Sequence, residues 1–489
     1  MSSLLAQHLE RTRGIRARTA RTIPVRPPDS CVEASEAQQQ VWLHAQLAGD
    51  IPLYNEPVTI HYKGNLDVAA FERSFNAVLG RHEAWRTFFE WRNGKFLQIV
   101  VPSLEVSIPF TDLRQEPAHR RERRALELAT QDGIVPIDIT RAPLFRARLV
   151  RLGDSEFRFY LTLHHMLFDG VSLYQIFLPE LQANYRAFLQ GTTAALEPLT
   201  AQYADWCLYQ IQHPDDTVIA SRLKYWEELL RGDLPEIPLP LDRPRPPVRS
   251  FAGAHHPFSI PAETARKLKR IGEANRATAY MTLLAAFHVL LFQLTGQADQ
   301  VIGSVTSTRA HPQTERLLGY FLNTILVRTR LEPSARFVDS LAHVREVTLE
   351  ALDHEVPFST LVSRFGKRRK PGTSPLFQVM FSMEPELPEL DSCWGLTQMD
   401  VETNASKFDL YLELDDRPDA LIGRFTYSTE VFDQATINQM SRQWAFLLDA
   451  IANNPDQTVL QLSQLPKQAE TATPLRKLWH KIVKSAKTQ

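Results

Sequence analysis

Helix-forming and strand-forming patterns alternate in a similar order in both halves of this 489-residue chain, and that repetition limits the folds open to it. Alternating apolar residues predict strands such as LFRARLVRL and FRFYLTLHH in the first half, and FQVMFSM and FDLYLELDD in the second. Helices are predicted between them, for example over residues 67–79 and 278–294. Because the chain is too long for one ordinary core, we expect an α/β protein of two similar lobes with a ligand site between them.

Changes in composition along the chain set the expected domain boundaries. Residues 1–32 carry the arginine-rich run LERTRGIRARTARTIPVRPP, which predicts a basic helix and an extended linker, or alternatively a mitochondrial transit peptide. We expect an N-terminal lobe over residues 33–202, a C-terminal lobe over 203–468 and a polar tail over 469–489. The proline-dense run LPEIPLPLDRPRPPV at 234–248 predicts an extended crossover within the second lobe.

The charge balance and the cysteine content argue against several classes of protein. A formal net charge of −1 and a sequence pI near 7.0 give no field that would favour nucleic acid or an anionic membrane. The three cysteines, Cys31, Cys207 and Cys393, show no CxxC spacing and no pairing scheme, which favours a reducing, cytoplasmic setting. No apolar run reaches the roughly 18 residues of a membrane span, and the N-terminus lacks a signal-type apolar core.

The run HHMLFDG, at residues 164–170, holds the side chains best suited to chemistry. Two histidines end a predicted strand, and a predicted helix follows. Histidine titrates near neutrality, so His165 can act as a base without a large change in its pKa. Asp169 can orient an imidazole or pair with an arginine to hold the loop. Gly170 permits a positive φ angle and a close approach of the backbone to a ligand.

A purely structural role is the competing interpretation of these histidines. If the strand runs straight, His165 shares a face with the apolar residues Phe157, Phe159, Leu161 and Leu163. That face is either the floor of a channel between the lobes or part of a core. His164 then supports the site from below. Chemistry alone leaves both interpretations of His165 open.

Other reactive patterns are weak or missing from the sequence. The pair His255-His256 has no following Asp-Gly, so we expect it to be structural. No metal site is expected at His164 and His165, because adjacent strand residues point to opposite faces and neither HExxH nor a nearby cysteine accompanies them. No G-x-S-x-G, Walker-type or GxGxxG loop stands where it would be needed, which argues against hydrolase, NTPase and dinucleotide-binding functions.

A series of further runs accompanies HHMLFDG in a fixed order along the chain. They are SEAQQQVWL from residue 35, RHEAWRTFF from 81, QYADWCLYQ from 202, LGYFLNT from 318, HEVPFSTLV from 354 and GTSPLFQVMF from 372. Together, over residues 33–465, they resemble the motifs of nonribosomal peptide synthetase condensation domains, in the chloramphenicol-acetyltransferase-like superfamily. HHMLFDG resembles that family's complete His-His-x-x-x-Asp-Gly signature. Trp85 replaces the family's usual leucine, and QYADWCLYQ departs from its motif.

The resemblance implies a pseudo-dimer of two chloramphenicol-acetyltransferase-like lobes in a V shape, with the active site in a tunnel between them. It implies amide formation between a donor acyl or aminoacyl thioester and an acceptor amine. Each substrate would arrive on the phosphopantetheine arm of a peptidyl or acyl carrier protein, so no bound cofactor is implied. The implied protein is a monomer with no nucleic-acid or membrane partner.

The same resemblance implies a role for each residue of the signature. His165 would take the proton of the amine, or orient the nucleophile and steady the tetrahedral intermediate, and His164 would support it. Asp169 would be structural and paired with Arg81, whose alternative is a solvated arginine at a helix end. Gly170 would give clearance to the pantetheine or acyl group.

Asn323, in LGYFLNT, has three possible roles under this resemblance: it lines the tunnel, donates a hydrogen bond there, or stabilises a turn. The basic run KRRK at 367–370 either meets acidic carrier proteins or stays solvated.

A stand-alone acyltransferase that uses coenzyme A thioesters is the alternative function. An epimerisation domain shares the signature, but it uses a further acidic residue in motifs that this sequence lacks, and the intact signature argues against a binding-only relative.

Overall fold

The computed structural model describes residues 22–27, 30–366 and 374–465. The predictions for the basic N-terminal helix and for KRRK concern residues outside these ranges. The tail expected over 469–489 lies outside them as well.

The described part of the N-terminal linker packs on the first lobe. Ile23 is buried, and Arg26 forms ion pairs with Glu83 at 2.7 Å and with Asp205 at 3.0 Å. Both ion pairs join the linker to residues that are distant in sequence. Residues 22–27 form neither helix nor strand, and they pack on the folded body.

The helices are spread over both halves of the chain. They are α1 (Glu36–Ala48), α2 (Val68–Arg81), α3 (Ala118–Gly133), α4 (Leu178–Leu189), α5 (Tyr203–Gln212), α6 (Asp216–Leu229), α7 (Ala262–Ala274), α8 (Ala279–Thr295), α9 (Phe337–Asp353), α10 (Phe358–Phe365), α11 (Gln434–Asn453) and α12 (Val459–Ser463). Shorter helical turns lie at Glu83–Arg86, His165–Leu167, Ser172–Phe177 and Pro312–Thr314.

Within the described ranges the strands form three sheets. They are β1 (Val32–Glu33), β2 (Asn55–Lys63), β3 (Thr87–Arg92), β4 (Lys95–Val100), β5 (Phe110–Asp112), β6 (Phe145–Gly153), β7 (Glu156–His164), β8 (Gly253–Pro261), β9 (Asp299–Ser307), β10 (Leu322–Arg330), β11 (Val379–Met383), β12 (Trp394–Thr397), β13 (Leu410–Asp416) and β14 (Ala420–Ser428). Their orders are β12-β2-β7-β6-β5, β10-β9-β11-β13-β14-β8 and β1-β4-β3.

The first lobe is built on the five-stranded sheet, with helices on both of its faces. Successive residues of β7 point to opposite sides. Phe159 packs against Phe71 of α2, with ring centroids 5.0 Å apart, while Tyr160 belongs to the cluster that includes Ala125 and Ala129 of α3. The strand that leads to HHMLFDG is therefore buried on both faces, and its end is held firmly.

The second lobe is built on the six-stranded sheet, which packs against the apolar helix α8. Thr278 caps the start of α8, and Gly296 ends it with φ of 71°. Phe287 of α8 contacts Phe381 of β11, with ring centroids 5.7 Å apart. Within the described ranges no single helix is long and apolar enough to cross a bilayer. The helices α7 and α8 reach that length and apolarity only when taken together, and the chain bends by 104° between them.

The first lobe takes in parts of the second half of the chain. β12 comes from the second half of the sequence but pairs with β2 of the first lobe, with Leu396 opposite Ile60. The first core also takes in Tyr203 and Trp206 of α5, and Phe321. The expected α/β architecture of two lobes is confirmed, and the first core extends past residue 202, where the sequence suggested a boundary.

Candidate active site

The two histidines of HHMLFDG lie where β7 ends beside β2. His164 is the last residue of β7 and stands opposite Asn55. The chain then turns out of the sheet, and the N–H of His165 donates to the carbonyl of Tyr54 at 2.8 Å. His165 therefore does not continue the apolar face of a straight strand. Its side chain stays partly exposed, whereas His164 is only 5% exposed.

The two imidazoles have opposite hydrogen-bonding patterns. Nδ1 of His165 lies 3.2 Å from the carbonyl oxygen of Phe168. Because a carbonyl only accepts, Nδ1 carries the proton of the neutral ring and Nε2 holds the lone pair. Nδ1 of His164 accepts from the N–H of Met166 at 3.3 Å, so that ring carries its proton on Nε2. Of the two, His165 is the one that is partly exposed, and Nε2 is its acceptor nitrogen.

Both histidines are uncharged at neutral pH. Burial is the main cause that lowers the pKa of His165 to about 4, and the positive charge of Lys407 acts in the same direction. Glu56, the Phe168 carbonyl and Asp169 oppose this shift. Burial, followed by the charges of His165 and Lys407, lowers the pKa of His164 to about 3.

Asp169 is fully buried and is held by groups from both lobes. Nη2 of Arg309 donates to its two carboxylate oxygens at 2.9 and 3.2 Å. The backbone N–H of Ser172 donates to it at 2.7 Å, and that of Phe321 at 3.2 Å. The guanidinium carbon of Arg309 also lies 3.9 Å from the centroid of the Phe321 ring. Asp169 thus links the HHMLFDG loop to the second lobe.

The prediction that Arg81 pairs with Asp169 is wrong. Arg81 lies at the end of α2, where its Nε donates to Glu180 of α4 at 3.0 Å. Its side chain is 19% exposed, so it is not a solvated arginine either. Arg309 takes the predicted place because the second lobe brings it to Asp169, from which it is 140 residues distant in sequence. Motif spacing does not reveal a partner at that separation.

Gly170 lies directly against the second lobe. A Cβ atom at this position would stand 2.7 Å from Oε2 of Glu384 and 3.0 Å from Cδ of Pro385. Its φ angle is not positive, so the glycine is required for space and not for an unusual backbone conformation. Clearance for a pantetheine arm stays a prediction; the space beside Gly170 is taken here by the Glu384 side chain.

Glu384 brings a carboxyl group to the site that the sequence analysis missed. It directly follows β11, and its N–H donates to the carbonyl of Leu414 at 2.8 Å. Burial, followed by the nearby carboxylates of Asp415 and Glu413, raises its pKa to about 8. The carboxyl is therefore mostly protonated at neutral pH. The only signal in the sequence was an acidic residue at the end of the apolar run FQVMFSM.

An ion pair that joins the two lobes beside His165 was also missed. Nζ of Lys407 contacts Oε1 of Glu56 and lies 4.8 Å from the centroid of the Tyr54 ring. Burial alone would raise the pKa of Glu56, but the charges of Lys407 and His165 outweigh it, together with Arg424, and lower that pKa to about 2. In the sequence, Glu56 precedes the strand-forming run PVTIHY and Lys407 directly precedes FDLYLEL, but nothing there shows that they meet.

Asn323 supports a turn of the second lobe. Its Nδ2 donates to Oε1 of Glu355 at 3.0 Å and to the carbonyl of Val356 at 2.9 Å. Its Oδ1 accepts from the N–H of Phe358 at 3.0 Å. Asn323 thus joins β10 to the start of α10. Of the roles open to it, these contacts are those of a turn-stabilising amide.

The other candidate ligand groups have contacts of their own. The part of the chain that the structure describes holds no cluster of three or more His, Cys, Asp or Glu side chains able to bind a metal ion. His255 lies on β8, and its Nδ1 contacts Oγ1 of Thr426 at 2.9 Å. Burial lowers the pKa of His255 well below its ordinary value. These contacts agree with the structural role expected for the His255-His256 pair.

The chain has the two-lobed chloramphenicol-acetyltransferase-like fold. The family described as "Condensation domain" matches residues 30–473, and the chain belongs to this family. Condensation domains of nonribosomal peptide synthetases are acyltransferases that form amide bonds. The family membership and the fold expected from the sequence are confirmed.

Individual relatives agree with this assignment. The chain is 39% identical over 443 residues to a linear gramicidin synthase of Brevibacillus parabrevis, covering 90% of this chain and 8% of that protein. It is 37% identical over 438 residues to a phosphinothricin tripeptide synthetase of Streptomyces viridochromogenes, covering 88% of this chain and 40% of that protein. The chain therefore spans well under two thirds of the length of these relatives.

A solved structure shows the same fold. The first condensation domain of the calcium-dependent antibiotic synthetase, in complex with a substrate analogue, superimposes with a TM-score of 0.78 at 19% identity. The match covers 89% of this chain and 99% of that one. At this identity the similarity establishes the fold, and the substrates of this chain are a separate question.

Proposed function

We propose that this chain forms an amide bond between a donor acyl or aminoacyl thioester and an acceptor amine, each carried on the phosphopantetheine arm of a carrier protein domain. The observation that supports this most strongly is the placement of His165, partly exposed and uncharged, with its Nε2 lone pair at the junction of the lobes. The relatives are synthetases several times longer than the matched region, which fits delivery of substrates by neighbouring carrier domains.

The chemistry needs few groups, because a thioester is already activated. The amine nitrogen attacks the thioester carbonyl, a C–N bond forms, the C–S bond breaks, and the proton lost by nitrogen passes to the departing sulfur. The protein has to supply proximity, one proton acceptor and a site from which water is excluded. It needs no bound cofactor for this step, and the phosphopantetheine arms belong to the carriers.

His165 has the geometry for the proton-handling part of this scheme. Its Nδ1–H is fixed on the Phe168 carbonyl, so Nε2 can accept a hydrogen bond from the amine N–H and direct the nitrogen lone pair to the thioester. Because the pKa of His165 is about 4, it is a weak base toward a free ammonium. We therefore assign it first the orientation of a neutral amine, and then the relay of the proton toward sulfur.

The other signature residues hold His165 in place. His164 fixes the start of the turn through Met166, and Asp169 fixes its end through Arg309. Gly170 lets the second lobe approach this loop closely.

We further propose that the domain acts in the cytoplasm as a monomer, with donor and acceptor carriers as its protein partners.

Intact-protein mass spectrometry of loaded carrier proteins tests this function. The donor carrier should lose the mass of its acyl group, and the acceptor carrier should gain it, only when the chain is present. Equal transfer from the same acyl group on coenzyme A to a free amine would instead indicate a stand-alone acyltransferase. Inversion of an aminoacyl centre without transfer would indicate an epimerisation-type relative.

A further inference from the structure

Opposite charges from the two lobes meet beside His165. On β2, Glu56 stands opposite Leu163 of β7, two residues before His165. It shares its strand face with Val58 and Ile60, which are 0% and 1% exposed. A carboxylate on such an apolar face requires a counter-charge. Lys407, which precedes β13 of the second lobe, supplies that charge, and the two side chains are only 18% and 17% exposed.

The pair is connected to His165 through Tyr54. Lys407 lies over the Tyr54 ring, and the carbonyl of Tyr54 accepts the N–H of His165. Besides Glu56 and Lys407, other titratable groups lie around the imidazole. They are Tyr54 directly before β2, His164 at the end of β7, Asp169 in the HHMLFDG loop and Tyr320 before β10. Asp169 is already engaged by Arg309, so Glu56 and Lys407 form the second charge pair close to the ring.

We propose that Lys407, held by Glu56, is a positioning residue that acts together with the burial of the ring to keep the imidazole of His165 uncharged and its Nε2 lone pair available. This inference rests on the proposed function and extends it. Without Lys407, the carboxylate of Glu56 would act on His165 without that opposing charge and favour the imidazolium ion, which has no acceptor nitrogen. The direction of each effect supports this, since Lys407 lowers the pKa of His165 and Glu56 raises it.

A structural ion pair and a pair that sets the charge of His165 differ in what their removal does. Loss of a merely structural pair would weaken the fold in the same way whichever partner is removed. In contrast, the proposed pair requires opposite effects on His165. Lys407→Met should raise the pKa of His165 by about one unit or more, and Glu56→Gln should lower it. The double variant should lie between the two single variants.

The test is an NMR pH titration of the full chain with isotopically labelled histidine side chains. The signals of His165 are assigned by their loss in His165→Gln. The expected result is the upward shift in Lys407→Met, an unchanged titration in Lys407→Arg, and a Glu56→Gln ring that stays neutral to the lowest pH at which the protein remains folded. An unchanged pKa in folded Lys407→Met overturns the proposal. If Lys407→Met does not fold, a pKa in Glu56→Gln that is unchanged or higher than in the wild type overturns it.

A second readout separates this inference from the proposed function. The amide-forming activity of Lys407→Met, relative to the wild type, should fall more at pH 5 than at pH 8, because protonation of His165 is then the cause of the loss. An equal loss at both pH values contradicts the inference while leaving the function intact. The NMR titration needs no carrier or substrate, so the expected pKa shifts without any amide formation would count against the proposed function alone.

Discussion

Arg309 of the second lobe donates to both carboxylate oxygens of Asp169 in the first lobe, at 2.9 and 3.2 Å. The side chains of this pair are 3% and 0% exposed. The contact fixes the HHMLFDG loop at the residue before Gly170. Asp169 therefore holds the position of the loop relative to the other lobe, and His165 is the histidine of the signature that stays partly exposed.

Replacement of Asp169 is expected to weaken the fold first. Asp169→Ala leaves the Arg309 guanidinium buried without its carboxylate, which typically costs about 3–5 kcal/mol of unfolding free energy. Denaturant unfolding of the purified chain measures this cost. A variant as stable as the wild type but inactive would instead give Asp169 a direct part in the reaction.

Arg309, which pairs with Asp169, and Arg81, which does not, allow a matched comparison. Arg309→Met should be strongly destabilising, because Asp169 would lose its charged partner. Arg81→Met should cost less, because Glu180 keeps a contact with Nε2 of His82 at 2.9 Å. Thermal unfolding and amide formation of both variants check this order. The opposite order would mean that Arg81 contributes more to the site than its position at the end of α2 implies.

Gly170 is expected to tolerate a side chain only when the second lobe makes room for it. Gly170→Ala places a methyl group 2.7 Å from the Glu384 carboxyl and 3.0 Å from Pro385, so one of them has to move. We expect reduced activity with the fold retained, since the contacting oxygen is the end of a flexible side chain. Glu384→Ala in the same chain should restore part of the lost activity, measured as the initial rate of amide formation. A Gly170→Ala variant with the wild-type rate would show that this contact does not matter for catalysis.

Glu384 should make stability depend on pH in a definite direction. Its pKa is raised from the ordinary 4.5 to about 8, so between these values the folded state binds the proton more tightly than the unfolded chain. Its contribution to stability is therefore complete below about pH 4.5 and is lost as the pH rises through 8. Glu384→Gln removes this loss, so its melting temperature relative to the wild type should rise from pH 5 to pH 9.

The exposed Glu389 offers a control for that experiment. Glu389→Gln, five residues further along the chain, should follow the wild type at both pH values. A Glu384→Gln curve that runs parallel to the wild type would contradict the raised pKa of Glu384.

The sequence located HHMLFDG and its flanking elements because local patterns determine them: an alternating strand, two histidines at its end and a helix after the glycine. It did not reveal Arg309, Lys407 or Glu384 as parts of the site, since each reaches HHMLFDG only after the second lobe has packed against the first. The pairing of β12 with β2 of the first lobe was missed for the same reason. The partner of an edge strand is set by tertiary packing and not by its own four residues.

The most direct test of the role proposed for His165 is the rate of amide formation by His165→Ala with loaded donor and acceptor carriers. We predict a rate lower by about 10²–10⁴-fold with an unchanged melting temperature, because in the proposed reaction the partly exposed imidazole orients the amine and relays its proton. The exposed His213 provides the control, and His213→Ala should keep the wild-type rate. A folded His165→Ala variant that forms the amide at the wild-type rate would contradict the role proposed for His165.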